Sequence, residues 1–199
     1  SIFKTQIGLI IKIIKISPIS VLTSYFKSYF CNIKKILLLS DTHSHIDDTI
    51  LKYVKLADEV WHAGDWGDME QTSDKLCSIT KVRGVFGNID GRSIRKTYPE
   101  ELFFELEGLK VYMTHIGGYP GRYKEGIKAK LKSFKPDLYI CGHSHICKVM
   151  RDKLLDLIHF NPGAMGNKGF HTKRTMISFA IDNGKLIDIN LLEYDRNKE

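Results

Sequence analysis

The sequence lacks the cysteine pattern of a disulfide-stabilised scaffold. Only four cysteines occur in 199 residues, and no two of them have a Cys-x-x-Cys spacing. A chain of this length also has enough residues to bury a core without covalent cross-links. We therefore expect reduced thiols in an intracellular, cytoplasmic protein with one compact domain. The cysteines are Cys31, Cys77, Cys141 and Cys147.

The first 32 residues also lack an apolar run long enough to span a membrane. Lys12 and Lys15 interrupt the most apolar stretch, residues 7–16, well before the ~20 residues that a span requires. No Ala-x-Ala-like cleavage site follows. Ile7, Ile10, Ile11 and Ile14 share one helical face, which is typical of an amphipathic helix that binds a surface or a partner.

Three other interpretations of residues 1–32 are favoured by their composition. They are an additional helix packed on the domain, a disordered leader, and translated sequence upstream of the true start. We assign no chemistry to this N-terminal extension, and we expect the folded domain to span residues 33–199.

The net charge of +7 does not indicate a nucleic-acid-binding surface. Residues 1–32 contain four lysines and no acidic residue, which leaves a net charge of only +3 for the rest of the chain. The rest also lacks the interleaved basic and aromatic residues of a nucleic-acid groove. We expect no dedicated groove of that kind, while short oligonucleotides or cyclic nucleotides remain compatible with the sequence.

The sequence does contain short apolar runs that are each followed at once by polar residues. The run 36–39 is short enough for a strand buried on both faces. Helical spacing over 45–57, an apolar run over 59–63, a short helix over 69–77 and a strand over 79–85 follow. This β-α-β-α-β order predicts a parallel sheet covered by helices.

Strands dominate the second half of the chain. Residues 102–106 and 109–113 predict a hairpin, a helix is expected near 123–134, and 136–140 predicts another strand. Four more strands are expected, and Asn183-Gly184 marks a tight turn between the last two of them. The sequence thus predicts two sheets, with helices available to cover both. The four strands are 147–151, 155–160, 175–182 and 185–193.

Seven oxygen or nitrogen donors follow these apolar runs, at the strand ends where α/β sheets place their ligands. None of the seven is a thiolate, which disfavours a structural zinc site. Seven donors exceed what one catalytic ion needs, and they fit two ions that share a carboxylate. The donors are Asp41, His43, Asp65, Asn88, His115, His143 and His145.

Five short blocks occur in an order that is typical of one enzyme family. They are Asp-x-His, Gly-Asp, Gly-Asn-x-Asp, a strand-end His and Gly-His-x-His. Together they resemble the calcineurin-like metallophosphoesterases over about residues 33–193. Residues 87–92, 98–101 and 161–164 resemble the small single-domain phosphodiesterase branch in particular. The resemblance implies an α/β fold, a four-layer α/β/β/α sandwich of two mixed sheets.

The resemblance also implies a metal-dependent phosphodiesterase that acts on a small phosphodiester. Asp65 would bridge two divalent ions, and a hydroxide between the ions would attack phosphorus in line. Mn²⁺ is the favoured ion, and Ni²⁺, Fe or Zn²⁺ are the other candidates. Asp65, Asn88 and His115 would thus be catalytic as well as ligating. The implied ligands are Asp41, His43 and His145 for the first ion and Asn88, His115 and His143 for the second.

Two positions depart from the family pattern. Ile89 follows the motif asparagine, where larger family members carry a histidine that is thought to protonate the leaving group. His45 is the nearest candidate for that role by sequence, although a surface position at the start of a helix is the favoured interpretation. Ile116 replaces a glycine that is common after the strand-end histidine, so we expect a shifted turn and a retained ligand at His115.

Two other functions remain as alternatives. The family includes a retromer subunit that keeps the fold with a compromised metal site and serves as a binding surface. The seven intact donors weigh against such a non-catalytic scaffold. A nuclease is the other alternative, which the modest charge of the domain disfavours. The oligomeric state, including a homo-oligomer, stays open.

Several other polar residues near the motifs are expected to have structural roles. We expect His62 to be a hydrogen-bonded core residue, Asp90 to brace the loop around Asn88, and Asn161 to shape a turn. His171 is expected to be structural or exposed, as is His159, with a phosphate contact as the alternative for His171. Solvated charge is the favoured interpretation for four basic residues in loops, with a phosphate contact by one of them as the alternative. They are Arg92, Arg95, Arg122 and Lys124.

Overall fold

The computed structural model describes residues 33–196. Residues 1–32 and 197–199 lie outside the described residues, and the predicted amphipathic stretch over 7–16 lies outside them as well. Within the described part of the chain, no helix is long and apolar enough to cross a membrane.

The first sheet contains three parallel strands and an antiparallel hairpin. Its strands are β1 (Lys34–Leu39), β2 (Glu59–His62), β3 (Lys81–Gly84), β11 (Lys173–Asp182) and β12 (Lys185–Asp195). They lie in the order β12-β11-β1-β2-β3. The hairpin turns at Asn183-Gly184, because Asp182 pairs with Lys185 and both turn residues have positive φ angles. The predicted turn is confirmed.

The second sheet has the same mixed character. Its strands are β4 (Glu101–Leu106), β5 (Leu109–Thr114), β8 (Leu138–Ile140), β9 (Cys147–Asp152) and β10 (Leu157–Pro162). They lie in the order β4-β5-β8-β10-β9, and β5, β8 and β10 are parallel. Two further short strands, β6 (Gly118–Tyr119) and β7 (Arg122–Tyr123), form a separate antiparallel ribbon.

Alternation along β1 shows how the two sheets pack. Ile36 and Leu38 are buried in a cluster that also contains Val111 and Ile140 of the second sheet. Leu37 and its alternate neighbour Leu39 belong to a different cluster, on the opposite face of the first sheet. Because successive side chains of a strand point to opposite faces, β1 is buried on both sides, as its continuous apolar run predicts.

Helices cover the outer face of each sheet. A first group packs on the first sheet through buried residues that include Ile50, Leu76 and Ile94. On the second sheet, Ile127 and Leu131 pack against the strands. The order helix, sheet, sheet, helix confirms the predicted four-layer α/β/β/α architecture. The helices are α1 (Asp48–Val54), a π-helical turn (Glu70–Asp74) continued by α2 (Lys75–Cys77), α3 (Arg92–Thr97) and α4 (Ile127–Phe134).

Two helices differ from their predicted bounds, and a third was not predicted. The helix expected over 45–57 begins only at Asp48, because the Asp47 carboxylate caps it by accepting a hydrogen bond from the Ile50 N–H at 3.0 Å. The helix expected near 123–134 begins at Ile127, because residues 118–123 form the ribbon instead. Helix α3 was not predicted, since its six residues bury only Ile94 and show no apolar period.

Candidate metal centre

All seven predicted donors follow strands whose carboxyl ends meet at one edge of the two sheets. Asp41 and His43 follow β1, Asp65 follows β2, and Asn88 follows β3. On the second sheet, His115 follows β5, while the pair His143 and His145 follows β8. The structure brings six of them into two groups, within each of which the candidate ligand atoms lie within 4.8 Å of one another. The groups are Asp41, His43 and His145, and Asp65, His115 and His143.

In the first group, one carboxylate oxygen has no hydrogen-bond donor. Asp41 Oδ2 accepts hydrogen bonds from Ser40 Oγ at 2.5 Å and from the His143 N–H at 3.0 Å. Asp41 Oδ1 is buried and receives none, although it lies 3.1 Å from His145 Nε2. The Nε2 atoms of His145 and His43 lie 3.4 Å apart. A buried carboxylate oxygen without a donor, beside two imidazole nitrogens, suits a divalent cation.

In the second group, the tautomer of His115 is set by the backbone. Its Nδ1–H donates to the Ala63 carbonyl at 2.7 Å, which leaves Nε2 to face other groups. His115 Nε2 lies 3.2 Å from Asp65 Oδ1 and 3.1 Å from Asn88 Oδ1. The lone pairs of His115 Nε2, Asp65 Oδ1 and Asn88 Oδ1 therefore face one another. Such an arrangement is stable only with a proton on Nε2 or a cation between the three atoms. Asn88 therefore joins the group that contains Asp65, His115 and His143.

The two groups are directly connected to each other. The backbone N–H of His143 bonds to Asp41 of the first group, while its ring centroid lies 5.2 Å from that of His115 in the second. His43 and Asp65 also influence each other electrostatically. This arrangement can hold two ions side by side. The assignment of the seven residues as ligands stays a prediction.

Burial lowers the pKa values of His43, His115 and His143, while the neighbouring carboxylates raise them. Burial lowers the pKa of His43 below its usual value, against the raising effect of Asp41 and Asp65. Burial and the neighbouring His115 lower the pKa of His143. Burial also opposes protonation of His115, but its hydrogen bond with Asp65 raises the pKa of that ring. Neutral rings at His43 and His143 are in the form that binds metal ions.

Five of the seven donors have left-handed backbone conformations. Their φ angles are 53° at Asp41, 47° at His43, 58° at Asp65, 67° at His143 and 56° at His145. Residues with a Cβ atom rarely adopt this conformation, and it costs on the order of 1 kcal/mol or more for each residue. Strain concentrated at one cluster of polar side chains is typical of a functional site.

Close backbone approach at Gly87 also shapes the site. A Cβ atom at this position would lie 2.0 Å from Asp65 Oδ1 and 2.3 Å from the Asp65 nitrogen. Only glycine therefore lets the loop after β3 pass so close to Asp65. This approach allows the Ile89 N–H to donate to Asp65 Oδ1 at 3.1 Å.

His171 is a neighbour of the site whose contact with a donor was not predicted. His145 Nδ1 lies 3.2 Å from His171 Nδ1, and His171 Nε2 lies 2.9 Å from the Gly166 carbonyl oxygen. A carbonyl only accepts, so His171 carries its proton on Nε2 and accepts from His145 Nδ1–H. This chain leaves His145 Nε2 unprotonated and facing Asp41. His171 follows no apolar run, so the strand-end pattern could not identify it.

Three of the structural roles expected from sequence are confirmed. His62 is fully buried and bonds to Thr42 Oγ1 at 3.0 Å, in a core position. Asp90 braces the loop around Asn88 by accepting hydrogen bonds from three backbone N–H groups. Asn161 shapes the turn after β10, because its Oδ1 accepts from the Gly163 N–H at 2.9 Å.

The structure also shows the surroundings of Arg95 and His45. Arg95 is exposed, as expected of a solvated charge, and its guanidinium also donates to the backbone carbonyls of Gly87, Asn88 and Asp90. His45 lies at the start of α1, where its Nε2 is 3.3 Å from Asp47 Oδ2. Its role as the general acid stays a prediction.

Comparisons with known proteins agree with this architecture. Residues 35–184 match the model of the calcineurin-like phosphoesterase superfamily domain. A protein of Methanothermobacter thermautotrophicus named "Probable metallophosphoesterase" is 26% identical over 132 residues, which are 64% of this chain and 74% of that protein.

Two solved structures share the fold. One, described as a novel archaeal phosphodiesterase, is 20% identical with a TM-score of 0.62 and covers 79% of this chain and 99% of its own. The other is Vps29 of Entamoeba histolytica complexed with Zn²⁺, which is 17% identical with a TM-score of 0.63 and covers 82% of this chain and 99% of its own. At these identities, the likeness shows the fold alone.

Proposed function

Because the chain belongs to the calcineurin-like phosphoesterase superfamily, we propose that it is a metal-dependent phosphodiesterase. One observation carries the proposal, namely the convergence of two groups of metal-ligand side chains at the carboxyl ends of the strands. The donors are carboxylate, amide and imidazole groups, which are the ligands of hydrolytic metal centres.

We propose that Asp41, His43 and His145 hold one divalent ion and that Asn88, His115 and His143 hold a second, with Asp65 shared between them. Mn²⁺ is the proposed ion. When bound, such ions lower the pKa of water to supply a nucleophile and stabilise the negative charge that develops on the phosphoryl oxygens.

The chain's own residues orient this centre. The Ala63 carbonyl fixes the ring of His115, and His171 fixes that of His145. Ser40 and the His143 N–H occupy one oxygen of Asp41 and leave the other for the ion. Hydrogen bonds of this kind commonly contribute tenfold or more to metal affinity.

The proposed substrates are small phosphodiesters with good leaving groups. The residue after Asn88 is Ile89, which cannot donate a proton to the leaving group. His45 is paired with the carboxylate of Asp47, which caps α1. Without strong general-acid assistance, the rate depends more on the leaving group's own ability to carry negative charge.

The first test is hydrolysis of bis(p-nitrophenyl) phosphate by metal-stripped protein. Mn²⁺, Ni²⁺, Zn²⁺ and Mg²⁺ are added back separately, and release of p-nitrophenolate is followed by absorbance. We expect no turnover without metal and the fastest turnover with Mn²⁺. Protein that is folded by circular dichroism but inactive with every ion would contradict the proposal and favour the non-catalytic scaffold.

Replacing His171 with alanine should weaken metal binding without unfolding the protein. The variant removes the acceptor for His145 Nδ1–H, and we expect a roughly tenfold loss of Mn²⁺ affinity, measured by titration calorimetry. His171→Asn should recover part of the loss, because its side-chain oxygen can accept the same hydrogen bond. Equal affinities in the wild type and the alanine variant would show that His171 does not orient His145.

A further inference from the structure

A cleft of about 350 Å³ opens beside the proposed metal centre. His143 belongs both to the lining of this cleft and to the second group of donors. The β6–β7 ribbon forms one wall and the segment after β8 forms another. The volume falls within the usual range for small-molecule sites. A substrate whose phosphorus lies at the metal centre can therefore extend a second group into the cleft.

The ribbon wall is held firmly in place. The Lys124 N–H donates to the Gly117 carbonyl at 3.0 Å, and Tyr123 Oη donates to Asp152 Oδ2 at 2.6 Å. Cys141 Sγ donates to the Gly118 carbonyl at 3.1 Å, which ties the ribbon to the end of β8. These contacts connect the ribbon to the second sheet at both of its sides. The cleft is therefore a built feature of the fold.

The charged side chains that line the cleft are basic. Of the residues that the structure describes, Arg122, Lys124 and Lys148 line it, and no aspartate or glutamate does. None of the three basic residues forms an ion pair with a carboxylate of the described residues. The Lys148 Nζ atom lies 3.5 Å from the centroid of the Tyr119 ring, which positions that ammonium group at the wall. Three cations without acidic partners suit an anionic ligand.

His159 adds an unused hydrogen-bonding group to the lining of the cleft. Its side chain is fully buried, and neither ring nitrogen has a hydrogen-bond partner of normal geometry among the described residues. Burial lowers the pKa of His159 to about 4, so the ring is neutral at physiological pH and carries one N–H donor. Buried polar groups are rarely left unpaired in native proteins. The ring is fully buried and uncharged, so the three basic residues alone provide the charge of the cleft.

We propose that the cleft binds a second phosphate group of the substrate. Resting on the proposed function, this inference defines the substrate class as phosphodiesters that carry a further phosphate on one of the two esterified groups. Arg122, Lys124 and Lys148 would contact that phosphate. A phosphate carries up to two negative charges and three acceptor oxygens, which matches a cluster of donors without carboxylates.

The test is a binding measurement that requires no turnover. Full-length chain loaded with Mn²⁺, which provides the proposed site of the first phosphate, is titrated calorimetrically with thymidine 3′,5′-bisphosphate and, separately, with thymidine 5′-monophosphate. The two probes differ by one phosphate. We expect the bisphosphate to bind at least about tenfold more tightly at low salt, and this advantage to shrink as salt is raised from about 0.05 to 0.5 M.

Substitutions of the lining residues test whether the tighter binding of the bisphosphate arises in the cleft. Lys148→Gln should reduce the bisphosphate advantage by about threefold to tenfold, and the combined Arg122→Gln, Lys124→Gln and Lys148→Gln variant should abolish it. Lys132→Gln, on the exposed side of α4, is the matched control and should retain the full advantage. Equal affinity of the wild type for both probes, or an advantage that survives in the triple variant, would overturn the proposal. A protein that binds the bisphosphate selectively but hydrolyses no diester would instead contradict the proposed function alone.

Discussion

Replacing Asp65 with alanine should abolish phosphodiesterase activity. This carboxylate is proposed to be shared by both ions, and it contacts His115 Nε2 at 3.2 Å and the Ile89 N–H at 3.1 Å. Its loss removes one negative charge from the centre and leaves His115 without its anionic neighbour. We expect kcat/KM for bis(p-nitrophenyl) phosphate with Mn²⁺ to fall at least about a thousandfold, an effect of roughly 4 kcal/mol on the transition state.

Two further variants separate the charge of Asp65 from its structural contacts. Asp65→Asn keeps an oxygen for the Ile89 N–H but removes the charge, and it should be nearly as inactive as Asp65→Ala. Asp68→Ala removes an exposed carboxylate three positions further on, whose Oδ1 accepts only from the Gln71 N–H at 3.0 Å, and it should keep nearly full activity. Calorimetric titration should show weaker Mn²⁺ binding to both Asp65 variants. Activity within threefold of the wild type in Asp65→Ala would show that this centre does not carry the hydrolysis.

The buried strands were predictable because local sequence determines them, whereas the four layers were implied by the family resemblance. The run 36–39 is apolar on both alternating faces, so it had to lie between two covered surfaces. Parallel strands place their carboxyl ends at one edge, so donors that follow β1, β2 and β3 had to lie at the same edge of the first sheet. Their meeting with the donors of the second sheet was implied by the resemblance. The hydrogen bonds that orient the ligand side chains could not be predicted in this way. The contact between His145 and His171 joins residues in irregular segments, where no periodicity constrains the path of the chain.

The left-handed backbone at the donors was likewise hidden in the sequence. Asp41 and His145 have positive φ angles, and although Asp and His adopt this conformation more often than most residues with a Cβ atom, residue type alone does not determine it. The conformation arises because contacts outside each residue impose it, as when the Asp41 N–H donates to the Gly64 carbonyl at 2.9 Å. The ribbon over 118–123 was missed for a similar reason, since two-residue strands carry no measurable alternation.

Replacing Asp90 with alanine should strongly destabilise the domain. Asp90 Oδ2 accepts from the Gly87 N–H at 2.7 Å and the Asp65 N–H at 3.1 Å, while Oδ1 accepts from the Gly67 N–H at 3.0 Å. Alanine leaves these three N–H groups without their acceptor at a largely buried position. At about 1–3 kcal/mol for each unpaired group and with partial relaxation, we expect a loss of roughly 3–5 kcal/mol in the free energy of unfolding.

Urea denaturation of metal-stripped protein measures this loss without the stabilisation that bound ions would add. Asp137→Ala is the matched control, because that carboxylate accepts one exposed backbone N–H, from Lys110 at 2.8 Å, and its loss should cost about 1 kcal/mol or less. Asp90→Asn keeps one accepting oxygen and should lie between the two. Because the Asp65 N–H is one of the three donors, the alanine variant should also bind Mn²⁺ more weakly. A stability loss no larger than that of Asp137→Ala would show that Asp90 does not hold the loops around Asp65 and Asn88 together.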